Sequence, residues 1–209
     1  MAGLTPAAQR APLLAAGFTT AFGAHAVAGT LGTTTTGAAA SLLTLGALLA
    51  IYDGAEVVLK PIFGTLADRI GARTVLVAGL LIFAVASAAY TMVDNNAMLW
   101  AGRFGQGVGA AAFSPAASAL VARLTPSGGH GRAFGTYGFY KSIGYTLGPL
   151  LGGLIVSLGG MRTLFGVMAV LAVAVATWAT ICVPTVSPLP RRRQTLVDTV
   201  RRFSESSFV

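Results

Sequence analysis

Asp53, Glu56 and Lys60 stand inside an apolar run, AIYDGAEVVLKPIF, at i, i+3 and i+7. At about 100° per residue a helix would bring the three within roughly 60° of one another, and Gly64 continues the same stripe. A carboxylate in such a run can take up and release a proton as its surroundings alternate between wet and dry. Asp53 is the first candidate. Glu56 is either a second one or half of a Glu56–Lys60 pair that only braces the helix, and the residue pattern leaves both open. Arg103, Lys141 and His25 are further ionisable groups within apolar sequence, and all five are expected along one polar pathway. Arg103 must face water, an acid or backbone carbonyls, because its guanidinium keeps its proton. His25 either hydrogen-bonds between helices as a neutral ring or carries a proton. No nucleophile stands with a base, and no cluster has metal-ligand spacing, so an enzyme, a metal and a bound cofactor are not expected. Gly105-Gln106-Gly107-Val108-Gly109 imitates a phosphate-binding loop, but no strand pattern precedes it.

The surrounding sequence explains why those charges are costly. Of the 209 residues 55% are hydrophobic and only 10% charged, with a mean hydropathy of +0.75. That composition predicts an all-α integral membrane protein embedded in the lipid bilayer. At about 20 residues per span, helices are expected near 12–32, 40–63, 74–93, 98–122, 134–158 and 163–184. The net charge of +8 follows the positive-inside rule and not nucleic-acid binding. Arg10, Lys60, Arg69, Arg73, Arg123 and Arg132 share one set of helix ends with the tail arginines; Asp94 and Arg162 lie at the other. Both the N-terminal segment 1–11 and the tail 185–209 are therefore expected on the cytoplasmic side of a plasma or inner membrane. Arg191–Arg193 and the following LVDTVRRF form either an amphipathic surface segment or a solvated linker. The early Arg10, apolar run and Ala24-His25-Ala26 imitate a signal peptide, but the run is long enough for a first span. Cys182 is the single cysteine, so no intrachain disulfide forms.

Between the second and third expected spans lies KPIFGTLADRIGART, residues 60–74, read as a tight hairpin at a water-facing end. Counted from Gly64 at about 1.5 Å per residue, Asp53 lies roughly 16 Å deep, near the middle of a core about 30 Å thick. The hairpin has a second copy. Pro61, Gly64, Leu66 and Gly71 recur as Pro149, Gly152, Leu154 and Gly159, and Tyr52-Asp53 as Tyr140-Lys141, roughly 88 residues on. A unit of that length holds three spans, so the copy must enter the membrane inverted. Small residues at Gly144, Gly148, Gly152 and Gly153, with Pro149 among them, predict a tightly packed, kinked fifth helix.

These stretches resemble the N-terminal six-helix half of a major facilitator superfamily transporter. Gly64-Thr65-Leu66-Ala67-Asp68-Arg69-Ile70-Gly71-Ala72-Arg73 is similar to the signature loop between helices 2 and 3, with Thr74 departing where a second base is usual. Arg103 to Ala111, including Gln106 and Gly107, is similar to the helix 4 motif, and the helix 5 Gly-Pro pattern to that of drug:proton antiporters. The resemblance implies two inverted three-helix repeats, with helices 1 and 4 lining a cavity that helices 2 and 5 flank. It implies a cytoplasmic gate built on Gly64, Asp68, Arg69, Gly71 and Arg73, and an Arg103 close to the site of proton coupling. The implied function is proton-coupled efflux of a small molecule by alternating access. The partners would be protons, substrate and either the missing C-terminal half or a second copy; a remnant without transport of its own is the alternative.

Overall fold

Gly71 is where the chain turns between two helices. Its φ of +100° is open to glycine and strained for other residues, and it separates a helix ending at Ile70 from one beginning at Ala72. The computed structural model describes residues 5–29, 38–92 and 95–186. Among them are α1 (Pro6–His25), a 3-10 turn (Ala26–Gly29), α2 (Ala38–Ile70), α3 (Ala72–Met92), α4 (Asn96–Arg123) and α5 (His130–Cys182). The described residues contain no strand. The end of the expected first helix, Asp94 and the arginines of 191–193 lie outside them.

Local chemistry sets these boundaries. Thr5 caps α1 by accepting from Ala8 N at 3.3 Å, and Pro6 follows where a missing N–H costs nothing. α1 therefore starts ahead of residue 12. Asn95 caps α4 in the same way, accepting from Met98 N at 2.8 Å. α2 runs past residue 63 to Ile70, so Asp68 and Arg69 stand on its last turn and not in a loop. Hydropathy marks the edge of the membrane, whereas the helix ends only where Gly71 breaks it. The helices expected at 134–158 and 163–184 adjoin within α5, whose backbone leaves helical geometry at Gly160 (φ 75°, ψ 179°). The part before that break packs on α1; the part after it packs on α3 and α4.

Aromatic and aliphatic side chains fill the spaces between these helices. Phe83 of α3 meets Phe113 of α4 edge-on at 6.0 Å, and Tyr90 of α3 lies 4.3 Å from Phe165 of α5. Leu76, Leu80, Leu120, Leu164 and Met168 are fully buried around them. Gly79 lets α3 approach α4 so closely that a Cβ there would stand 2.7 Å from Phe113 N. Leu42, Leu43, Val57, Val58, Ile62, Leu150 and Val170 point outward instead. Three helices among the described residues are long and apolar enough to cross a membrane: Leu42–Ile70, Ala72–Met92 and His130–Cys182.

The turn gives a direct test. A Cβ at Gly71 would have no neighbour nearer than 4.0 Å, so any penalty of substitution is conformational and not steric. Gly71→Ala is expected to cost about 1–2 kcal/mol, and Gly71→Asn less, because asparagine tolerates positive φ better. Thermal unfolding in detergent reads both variants; an alanine variant melting with wild type rules out the strained turn.

Candidate functional site

The centre of the bundle is built on Arg103 of α4, whose side chain is fully buried. Its Nη1 donates to Gly23 O at 2.7 Å and to Gln106 Oε1 at 3.0 Å, its Nη2 to Ala24 O at 2.9 Å and its Nε to Leu48 O at 3.4 Å. The Gly23 and Ala24 carbonyls belong to the last turn of α1, where helical partners run out. A guanidinium supplies the fork of donors that such a pair of carbonyls needs. The Tyr52 ring of α2 lies under it, 4.4 Å from centroid to Cζ, and Tyr52 donates its hydroxyl to Thr20 O at 3.2 Å. Among the described residues no carboxylate lies within ion-pair distance of Arg103. Carbonyl dipoles and an aromatic face hold its charge, one of the environments the sequence allowed. Gln106 passes the network on, donating to Ser87 Oγ at 2.8 Å and lying 3.7 Å from Met168 Sδ.

Asp53, next to Tyr52, points the other way and is exposed. His25, Glu56, Arg103 and Lys60 are the charged or titratable groups that act on it electrostatically. Glu56 is buried and bonded to Lys60 Nζ at 2.7 Å, which realises the bracing pair. Lys141 of α5 is half-buried, its Nζ 5.7 Å from the centre of the Tyr145 ring, and Glu56 and Lys60 are its charged neighbours. His25 lies edge-on to the same Tyr145 ring at 4.7 Å, and its buried Nδ1 has no hydrogen-bond partner among the described residues. The structure thus gathers residues of α1, α2, α4 and α5 around one region. Asp53 and Lys141 form no ion pair there. Tyr145, Ser87 and Met168 join the site without having been singled out in the sequence, and Tyr52, noted there only for the repeat, joins it as well. Adjacency to Asp53 and the i+4 step from Lys141 were the available signals for the two tyrosines.

The hairpin motif divides into separate contacts. Asp68 Oδ1 accepts from Arg123 Nη2 at 3.2 Å, tying the end of α2 to the end of α4. Arg73 donates to Thr185 Oγ1 at 2.7 Å and to Thr180 O, capping the last turn of α5. Arg69 is exposed, and a Cβ at Gly64 would meet nothing within 4 Å. In α5, Gly144, Gly148 and Gly152 are buried against α1 and the turn after it, while Pro149 and Gly153 are half-buried. Gly107 of α4 brings that helix against the Tyr52 carbonyl of α2.

The profile of the Major Facilitator Superfamily matches residues 13–206. The chain belongs to that superfamily. It is a membrane transporter-family chain, multi-pass and helical, from a group that is not enzymatic in general. Over 103 residues it is 40% identical to the methylenomycin A resistance protein of Bacillus subtilis, a stretch covering 49% of this chain and 22% of that protein. Over 111 residues it is 30% identical to the quinolone resistance protein NorA of Staphylococcus aureus, covering 53% of this chain and 29% of NorA. A crystal structure of the POT family transporter PepTSo superposes with a TM-score of 0.77 at 15% identity, over 95% of this chain and 42% of that one. A D-xylose-proton symporter gives 0.66 at 17%, over 96% and 52%. The superfamily fold is thus shared with structures of which this chain spans about half.

Proposed function

We propose that the chain forms one six-helix half, two inverted three-helix repeats, of a proton-coupled exporter that works by alternating access. In this reading both termini are cytoplasmic. A second six-helix unit, on the same polypeptide, another chain or a second copy, completes the cavity against α2 and the first part of α5. Asp53 carries the proton. The observation behind that choice is a comparison of the carboxylates among the described residues: Glu56 is bonded to Lys60 and Asp68 to Arg123, and Asp53 alone has no cation within ion-pair distance. An exposed acid on a membrane-embedded helix is costly unless it lines a wet passage. Arg103, His25 and Lys141 then set the field around it, and Asp68, Arg69 and Arg73 serve the cytoplasmic gate. Export of small amphipathic molecules is supported by the two relatives named for drug resistance and by the Gly-Pro pattern of α5.

The test is transport into inside-out vesicles carrying the chain with its second unit, driven by an imposed pH gradient. Asp53→Asn is expected to reduce gradient-driven uptake to background at unchanged protein level, and Asp53→Glu to retain part of it. Undiminished gradient dependence in Asp53→Asn removes the residue from the mechanism.

A further inference from the structure

A second cavity, of about 490 Å³, opens away from this site, where α1 begins, α4 ends and α5 begins. The Asp68–Arg123 pair places it at the same end of the bundle as the α2–α3 turn. Leu14, Val121 and Ala133 give it an apolar wall, and Arg10 of α1 and Arg132 of α5 also line it. Among the described residues no carboxylate lines it. Arg10 spends its Nε on Pro6 O at 3.1 Å, which leaves its two terminal nitrogens, and among the described residues neither arginine forms an ion pair. The two threonines of the lining have spent their hydroxyl protons on Val121 O at 2.6 Å and Arg132 O at 2.9 Å, so the side-chain donors left to face an occupant are guanidinium groups.

Two guanidiniums over an apolar wall, at the water-facing end of a membrane bundle, select for an anion with an apolar continuation. A free inorganic ion would leave the Leu14–Val121–Ala133 wall wet, whereas a lipid covers it with the start of its acyl chains. Arginine forks match phosphate oxygens in geometry as well as charge. We propose that this cavity binds the phosphodiester headgroup of an anionic phospholipid from the adjoining leaflet. The site is separate from the proton pathway, and the claim does not depend on which carboxylate carries the proton.

The full chain in nanodiscs of phosphatidylcholine doped with phosphatidylglycerol provides the experiment, with bound lipid counted by native mass spectrometry. Wild type is expected to retain phosphatidylglycerol in preference to phosphatidylcholine. Arg10→Gln and Arg132→Gln should each weaken retention about tenfold, the size of one charge-assisted hydrogen bond. Arg69→Gln, at the same end but outside the cavity, should change it by less than about fivefold, the effect of one surface charge. Equal losses in all three variants, or no preference for phosphatidylglycerol, overturn the site. Inorganic phosphate that stabilises the protein in pure phosphatidylcholine discs as strongly as phosphatidylglycerol does overturns the lipid as occupant and leaves a soluble phosphate.

Discussion

Arg103→Ala lowers the stability of the bundle by about 3–5 kcal/mol, the expected result of removing one side chain that serves three helices. The guanidinium is fully buried and holds Gly23 O, Ala24 O, Leu48 O and Gln106 Oε1 at once. Alanine takes the guanidinium donors from Gly23 O, Ala24 O and Gln106 Oε1 in a space the size of an arginine, while Leu48 O, inside α2, keeps its helical donor. Each orphaned buried acceptor costs about 1–3 kcal/mol, and water entering the gap recovers part of that. Arg103→Lys keeps the charge but concentrates its donors on one atom, which cannot reach α1 and the Leu48 carbonyl of α2 together. It should lose roughly half as much as alanine. Trp100 and Trp178 provide a fluorescence signal for thermal unfolding in detergent. An alanine variant within about 1 kcal/mol of wild type would falsify the view that Arg103 clasps the bundle.

The reach of the sequence can be judged from that residue. Arg103 within an apolar run announced itself as expensive, and carbonyls were among the environments it could take. Which carbonyls could not be read, because a backbone acceptor carries no residue type, and Gly23, Ala24 and Leu48 look like any other positions of a membrane helix. Side-chain pairs within one turn were easier: Glu56–Lys60 follows from an i+4 spacing. Asp68–Arg123 joins the ends of two helices and has no local signature. The turn at Gly71 was legible because glycine and charge coincide there. The run of α2 to Ile70 was not, since hydropathy falls off at the water boundary while the backbone remains helical. At Gly160 a glycine pair and Arg162 marked the break between the two parts of α5, but only coordinates show that helical geometry resumes within a residue. For His25 the sequence left a hydrogen-bonded neutral ring and a proton carrier open; among the described residues its Nδ1 has no hydrogen-bond partner, and its ring packs on Tyr145.

Gly152→Ala should separate α5 from the end of α1. A Cβ at Gly152 would overlap the Ala26 carbonyl group, and one at Gly144 would stand 2.6 Å from Phe18 O. Backbone cannot rotate away as a side chain can, so the helices must move apart, at a cost of about 1–3 kcal/mol or more. Gly64→Ala is the counterpart on α2, where nothing lies within 4 Å. It should be neutral or stabilise the chain by up to about 1 kcal/mol, since alanine is the better helix former. The sequence pattern pairs these two glycines as repeat-mates, yet among the described residues only Gly152 packs against another element. Thermal unfolding of the pair decides the matter, and a Gly152→Ala protein as stable as wild type would sink it. Under the proposed function, a Gly64→Ala protein that folds normally but transports more slowly would fit a second unit packed against α2. Gly152 also abuts the residue after His25, so forcing α5 outward moves Tyr145 relative to the His25 ring. Loss of gradient-driven transport in Gly152→Ala at a temperature where the bundle is still folded would therefore connect the packing of α5 to the field around Asp53.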